Sequence, residues 1–340
     1  MLKEISNAPR GTFDPYQPAL LDERGTIAEP VVIVELDSLP DRFSLPNERV
    51  SIGVATGPMS PAARMVAPSL DITIVPSGLD DQVWTVGAED PAKTAEALAV
   101  AVRANPTAAV VLAQVLRMTG LGVADGLNVE SYAYSTLLGG DEFAAWLTRR
   151  GHRPAPPSAT VDPVLVQRER NELRVTLNRP ERRNAFGREV RDALVNALRL
   201  VAVDESIDHV VLDGAGPSFC AGGDLDEFGT TPSPVLAHFV RTAAGAGRLL
   251  HSISARLEAR LHGQCVGAGI ELPAFAGRVV AAPGTGFRLP EVAMGLIPGA
   301  GGTVSIPRRI GRWRTLKLAL SGESIAAETA LAWGLIDAIE

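Results

Sequence analysis

The spacing of apolar positions changes three times along the chain. Val31-Val32-Ile33-Val34-Glu35-Leu36 and Val50-Ser51-Ile52-Gly53-Val54-Ala55 are β-branched runs between turn formers, and Leu70-Asp71-Ile72-Thr73-Ile74-Val75 alternates with period two, so all three are predicted strands. From Pro91 the interval lengthens to three and four: Leu98, Ala101 and Val102, then Val111, Leu112, Val115 and Leu116. This predicts two helices parted at Asn105-Pro106, since proline suits a helix start. Further helices are predicted over 129–138 and 141–149. The stiff run Arg153-Pro154-Ala155-Pro156-Pro157-Ser158 is the sharpest boundary signal. Beyond it, predicted strands at 173–177, 209–212, 257–261 and 279–281 alternate with helices at 188–203 and 235–253 and a helix opening at 268–275. Long crossovers between strands imply a mostly parallel sheet covered by helices, an α/β class.

These signals divide the chain into an extended leader (1–30, punctuated by Gly11, Pro15, Pro18 and Pro30), an α/β segment (31–92), a helical segment (93–153), a linker (154–160) and a second α/β unit (161–340). A chain of 340 residues is long enough for about two domains or one large one. Its 46% hydrophobic and 21% charged residues are ordinary for a soluble globular enzyme. A net charge of −7 without a basic block argues against nucleic acid or an anionic membrane surface as partner. No apolar run reaches the roughly 18 residues of a membrane span, and the start has no signal-peptide h-region. Cys220 and Cys265 are the only cysteines, which excludes a disulfide framework and fits a cytoplasmic location. The five histidines have no metal-ligand spacing, so no metal is expected.

The chemistry gathers in three glycine-rich turns: Ser218-Phe219-Cys220-Ala221-Gly222-Gly223-Asp224-Leu225, Gly267-Ala268-Gly269-Ile270-Glu271-Leu272, and Leu289-Pro290-Glu291 through Gly301-Gly302-Thr303. Taken alone, Glu271 reads as an acidic residue complementing a helix dipole, and Glu291 after Pro290 reads the same way. Gly267-Ala268-Gly269 is no dinucleotide fingerprint, because no distal ribose-binding acid follows in register. Together, two carboxylates can share a water, and two backbone N–H groups can hold an enolate oxygen.

With Leu177-Asn178-Arg179-Pro180-Glu181-Arg182-Arg183-Asn184-Ala185 before them and Ala332-Trp333-Gly334-Leu335-Ile336-Asp337 after them, these motifs resemble the crotonase superfamily, the enoyl-CoA hydratases and isomerases. The resemblance covers residues 165–340 and implies a crotonase-like ββα spiral core over about 161–340. It implies catalysis by Glu271 and Glu291 on an enolate held by the N–H groups of Ala221 and Ala268. Coenzyme A would be bound by Arg182, Arg183, Ala185, Phe219, Gly223, Asp224 and Leu225. It implies an acyl-CoA thioester as substrate, no cofactor beyond it, and assembly as a homotrimer or dimer of trimers. Hydration of a 2-enoyl-CoA is the leading expectation, because both glutamates are present. Isomerisation, hydrolysis or C–C cleavage through the same enolate stays open, as does a non-catalytic acyl-CoA-binding role.

Two departures bear on the pocket floor. Gly277 stands where the family carries an acid, and Pro273 lies in the helix that bears Glu271. Arg308, Arg309, Arg312 and Arg314 read as a surface helix or subunit contact. Family chains continue after the Gly-Leu-Ile-Asp motif into a helical segment that closes the pocket and builds trimers. Here residues 93–155 resemble that segment placed in front, in Glu130-Ser131-Tyr132-Ala133-Tyr134-Ser135 and in Asp141-Glu142-Phe143 through Arg149-Arg150. Leu112, Leu116, Tyr134, Phe143 and Trp146 are then expected to be buried against the 160–340 core or a bound acyl chain. Residues 31–92 are read either as a decayed copy of the core or as an unrelated α/β leader.

Overall fold

In the computed structural model, which describes residues 19–39 and 48–340, four consecutive strands form a first parallel sheet in chain order: β1 (Val31–Glu35), β2 (Val50–Val54), β3 (Ile72–Pro76) and β4 (Thr85–Ala88). Every residue of β2 is buried, as expected of a central parallel strand covered on both faces. β4 was not predicted. It is short, and its Gly87 stands where a Cβ would lie 2.8 Å from the Asp80 carboxyl carbon, so it carries little periodic signal. The short helix α1 (Pro61–Val66) links β2 towards β3 and is capped by Ser60, whose hydroxyl accepts from the Ala63 N–H at 3.2 Å. Of the expected extended leader, residues 1–18 lie outside the described residues. Residues 21–27 instead fold back through a Leu21–Ile27 bridge, with Asp22 accepting from the Arg24 and Thr26 N–H groups at 2.9 Å.

Four helices follow. Asp90 caps α2 (Pro91–Ala104) by accepting from the Lys93 N–H at 2.9 Å, and the chain bends by 111° into α3 (Pro106–Arg117). The first N–H groups of α3 find an acceptor far along the chain. Glu142 takes the Thr107 N–H at 2.6 Å and the Ala108 N–H at 3.1 Å, filling the orphan positions of a helix start. Glu142 itself lies in α5 (Asp141–Arg150), which follows α4 (Val123–Leu138). Residues 151–163 carry no helix or strand, and are pinned by Arg179 donating to the Pro157 carbonyl at 3.0 Å and Glu189 accepting from the Ala159 N–H at 2.8 Å.

The second unit opens with β5 (Val164–Glu169), antiparallel to β6 (Glu172–Leu177). β5 escaped the sequence reading because all of its side chains after Val164 face solvent. Then come α6 (Arg188–Val203), β7 (His209–Gly214), α7 (Pro234–Ala244), α8 (Gly247–Ser252), β8 (Leu257–Leu261), β9 (Gln264–Val266), α9 (Ala268–Glu271), β10 (Arg278–Ala281), β11 (Gly286–Arg288), α10 (Gly302–Ser321), β12 (Ile325–Ala326), α11 (Ala327–Trp333) and β13 (Ala338–Ile339). The larger sheet has the order β13-β10-β8-β7-β6-β5 and is parallel except at the β5–β6 hairpin; β12-β11-β9 form a smaller one. α6 buries Val190, Leu194, Leu198 and Val201 at helical spacing, each such side chain stabilising by about 1.5–3 kcal/mol. The single helix expected over 235–253 is broken at Gly245-Ala246. At Gly247 a Cβ would lie 3.2 Å from the Phe275 ring and 3.3 Å from Leu127, so the chain must pass close there.

The two units share one apolar cluster, to which Val31, Leu112, Leu116, Phe143, Leu194, Phe287 and Ile336 all belong. Tyr134 and Trp146 are only partly buried against it. α3 and α4 pack on α10, and α4 also packs on α7 and α8. At the joint, buried Asp71 on the first sheet accepts from Arg117 of α3 at 2.8 Å and from Arg312 of α10 at 3.3 Å, while its second oxygen accepts from the Ser51 N–H at 2.8 Å. Arg312 also donates to the Pro68 and Leu70 carbonyls at 3.0 Å. This corrects the surface-helix reading: Arg312 is buried between the units, Arg314 donates to the Gln82 carbonyl at 3.2 Å, and Arg309 ties α10 to Asp337. α10 can reach both units because Gly311 (φ 79°, ψ 158°) splits it into two helical pieces.

Candidate active site

Gly267 sets the geometry. At φ 49°, ψ −117° it turns β9 into α9, in a region of backbone space that other residues avoid. Its N–H donates to the Arg288 carbonyl of β11 at 2.9 Å. A Cβ on Gly267 would strike Oε1 of Glu291 and lie 3.7 Å from Oε1 of Glu271, so the two carboxyl groups converge on this bare Cα. Glu271 reaches the spot from the last position of α9, which stops there because Pro273 follows. Glu291 opens a 3₁₀ turn (Glu291–Met294) closed by left-handed Gly295, and that turn is the seat of α5.

The two carboxyl groups differ in their partners. Oε2 of Glu271 accepts from the Ala300 N–H at 2.7 Å and the Gly302 N–H at 2.9 Å. Oε2 of Glu291 is shielded from solvent and has no partner among the described residues. A third carboxylate comes from α4, where buried Glu130 accepts from the Gly301 N–H at 2.7 Å, the Thr303 N–H at 2.9 Å and the Thr303 hydroxyl at 2.7 Å. Burial pushes Glu291 up to about 8 and Glu130 up to about 7. Glu271 is also held well above the usual carboxylate range, first by burial and then by repulsion from Glu291 and Glu130. The group therefore retains protons at neutral pH. The two N–H donors favour leaving negative charge on Glu271 and a proton on the unpartnered Glu291.

The N–H donors need one correction. The Ala221 N–H donates to the Arg183 carbonyl at 3.0 Å and Ala221 does not line the cavity, so it cannot serve a ligand there. Its place is taken two residues on. Phe186 bridges to Gly223 by donating to the Gly222 carbonyl at 2.7 Å and accepting from the Asp224 N–H at 3.3 Å. In such a parallel bridge the intervening Gly223 N–H points the other way, and Gly223 lines the cavity. Ala268 stands at the start of α9 on the same cavity wall as expected, and no protein acceptor takes its N–H.

The cavity, about 430 Å³, is lined by Gly223, Ala268, Glu271 and Glu291 together with Phe186, Phe228, Leu127, Tyr134, Leu138 and Val240. Of the residues expected at coenzyme A, Gly223 and Asp224 line it. Arg182, Arg183, Ala185, Phe219 and Leu225 do not. Arg182 is occupied by Asp224 at 2.6 Å and Asp226 at 2.9 Å, so it fixes the 224–227 turn from within; Phe219 is buried core. The cations that do border the cavity are Arg188 and Arg191 at the start of α6, with Arg241 and Arg248 on the opposite side. The pocket floor is not built from the two departures. The Gly277 N–H donates to the Ser254 carbonyl at 2.9 Å, and neither Gly277 nor Pro273 lines the cavity. Cys220 and Cys265 are neighbours on a parallel bridge, fully packed, with the Cys220 thiol pushed up to about 12 by burial. Among the described residues no cluster of His, Cys, Asp and Glu could hold a metal ion.

Glu130 and Arg241 are the members of this site that sequence reasoning did not single out. Glu130 lay in a recognised motif, but nothing local marked it as different from a surface glutamate. Arg241 sits in a helix whose outward face is apolar, and only the fold reveals which side meets the cavity.

Comparison with known proteins agrees with this architecture. The family model for enoyl-CoA hydratase/isomerase matches residues 167–340. The 2,3-dehydroadipyl-CoA hydratase of Escherichia coli is 38% identical over 173 residues, covering 51% of this chain and 67% of the relative. The 1,2-epoxyphenylacetyl-CoA isomerase of the same organism is 37% identical over 177 residues, covering 51% and 68%. A crystal structure of an enoyl-CoA hydratase from Mycobacterium smegmatis is 32% identical, with a TM-score of 0.48, covering 52% of this chain and 69% of that one. A match across half the chain, ending at the residues that carry the paired glutamates and the glycine turns, places this protein in the enoyl-CoA hydratase/isomerase family.

Proposed function

We propose that this enzyme hydrates a 2-enoyl-CoA thioester. The observation that carries the reading is the convergence of Glu271 and Glu291 on Gly267, beside two unengaged N–H groups in a closed cavity. The thioester oxygen would lie between the Gly223 and Ala268 N–H groups, with coenzyme A leaving past Phe186, Asp224 and the arginines Arg188 and Arg191. A water shared by the carboxyl groups gives its proton to Glu271 and its hydroxyl to the β-carbon. The negative charge moves onto the thioester oxygen, and each N–H donor there contributes about 10²–10³ in rate. Glu291 then protonates the α-carbon, and a proton shift from Glu271 to Glu291 resets the site. In this reading no further cofactor is required, since water supplies every atom added.

The isomerase among the relatives favours a second reading, in which one carboxylate moves a proton across an allylic thioester without adding water. Incubation with crotonyl-CoA separates the two. Hydration removes the ultraviolet absorbance of the conjugated thioester and yields a 3-hydroxyacyl product; an enzyme that leaves crotonyl-CoA unchanged but conjugates a 3-enoyl-CoA is an isomerase. Assembly as a homotrimer or dimer of trimers belongs to the same proposal. The exposed Tyr132, Val235, Leu236 and Phe239 give α4 and α7 an apolar outer face for it. Sedimentation as a monomer at micromolar concentration contradicts it.

A further inference from the structure

Arg241 is the cation of this cavity that the proposed chemistry leaves without a task. It projects from α7 against α4, where its Nε donates to the Ser131 hydroxyl at 3.2 Å and its Nη2 to the Ser131 carbonyl at 3.2 Å and to the Ser135 hydroxyl. The guanidinium lies 4.4 Å from the centre of the Tyr134 ring. It forms no ion pair, and among the described residues no acceptor meets its Nη1. Glu130, its nearest carboxylate neighbour in charge terms, spends its oxygens on Gly301 and Thr303 instead. A partly buried guanidinium facing a cavity without a counter-ion is costly unless something anionic enters.

Its place along the cavity says which part of a ligand it meets. The thioester end is fixed by Gly223, which is bridged to Phe186; Gly187, Arg188 and Arg191 follow on that side. From the reacting centre the opposite wall runs outward. Glu271 is held by the Ala300 N–H, the neighbouring Gly299 lies directly against the Tyr134 ring, and Arg241 is stacked on that ring. A thioester pinned at Gly223 and Ala268 thus sends its coenzyme A towards Arg188 and its acyl chain towards Arg241. Three contacts hold the guanidinium in one orientation, so little freedom is lost when an acceptor arrives.

Building on the hydratase reading, we propose that the acyl group of the substrate ends in a carboxylate, and that Arg241 binds it at the α4–α7 end of the cavity. A second acidic group on the acyl chain would satisfy Nη1 with a charge-assisted hydrogen bond; an alkyl terminus would leave it unmet.

The test compares saturated thioesters of matched length on the whole protein by calorimetry: succinyl-, glutaryl- and adipyl-CoA against butyryl-, valeryl- and hexanoyl-CoA. At least one dicarboxylic thioester is expected to bind at least about tenfold more tightly than its alkyl counterpart. In Arg241→Gln that preference should disappear, and in Arg241→Lys it should return in part. Because binding is read on the unaltered protein first, a poorly folded variant does not decide the matter. Equal binding of acidic and alkyl chains at every length overturns the proposal while leaving hydration of crotonyl-CoA untouched. A retained dicarboxylate preference in a folded Arg241→Gln variant overturns it as well. Failure to hydrate any enoyl thioester, with the binding preference intact, would instead sink the hydratase reading alone.

Discussion

Glu271 and Glu130 take alternate N–H groups from one loop: Ala300 and Gly302 donate to Glu271, Gly301 and Thr303 to Glu130. One carboxylate belongs to the catalytic unit and the other to a helix from the first half of the chain. The loop between them begins α10, whose N-terminal N–H groups lack intrahelical acceptors. Position and charge of Glu271 are therefore set partly by Glu130.

Replacing Glu130 with alanine should leave the Gly301 and Thr303 donors buried and unmet, at a cost of about 1–3 kcal/mol each. We expect a lower melting temperature and at least about a tenfold loss in kcat. Glu130→Gln, which keeps one acceptor, should recover part of both. Unchanged kcat in a folded Glu130→Ala variant would reduce Glu130 to a packing residue.

Glu271→Gln and Glu291→Gln should each slow hydration by at least about a hundredfold, the scale for losing a placed acid or base. Thioester binding should persist, because the Gly223 and Ala268 donors are untouched. Near-native turnover would remove that glutamate from the mechanism.

The raised pKa values make two pH predictions. Glu291 must be protonated to deliver its proton, so kcat should fall as pH rises past about 8. For stability, Glu291 and Glu130 keep their protons in the fold up to about 8 and about 7, whereas in the unfolded chain they lose them near 4.5. Between those limits the unfolded state binds fewer protons, so stability is greatest below about 4.5 in this respect and declines as pH rises to about 8. Denaturation across this range should show the decline, and the Glu130→Gln, Glu291→Gln double variant should flatten it. An equal decline in that variant assigns it to other groups.

Asp71→Ala should be among the most damaging single changes in the chain. It strips a buried carboxylate from Arg117 and Arg312, and breaking such a pair on one side costs about 3–5 kcal/mol. Since Arg312 belongs to α10, the loop that holds Glu271 should loosen too, and activity should fall along with the melting temperature. Loss of stability with native kcat would mean that the joint is mechanically separate from the site.

A fragment starting at Val161 should be inactive or aggregate. It lacks Glu130, Tyr134 and the apolar faces of α3 and α4 that cover α10. A soluble, fully active fragment would refute the dependence of the cavity on the first half.

Much of this was legible in the sequence, and the reasons differ by element. The buried strands β1, β2, β3, β7 and β8 announce themselves as β-branched runs, since parallel strands covered on both faces need nothing else. β4 and β5 stayed silent, one for shortness and a glycine, the other for its exposed side chains. Glu271 and Glu291 were recognisable only because several motifs recur in order, as each glutamate alone looks like an ordinary helix-start acid. The Ala221 assignment failed because a glycine turn offers several N–H groups, and sequence does not say which one a neighbouring strand consumes. Arg182 failed similarly: a cation's address can be read, but not whether Asp224 already occupies it. Arg312 looked like a surface charge because its partner lies 241 residues away.

The order in which the halves are made adds a further constraint. α3 and α4 are synthesised well before α10, the helix that covers their apolar faces. At a synthesis rate of about 5–20 residues per second, those faces wait on the order of 10–40 s for their cover. During that interval the nascent chain carries an open greasy surface and a glutamate, Glu130, with none of its eventual donors. A holding chaperone, or a second nascent chain docking in place of α10, would find its opportunity in this window, and slowing translation between residues 138 and 302 should lengthen it.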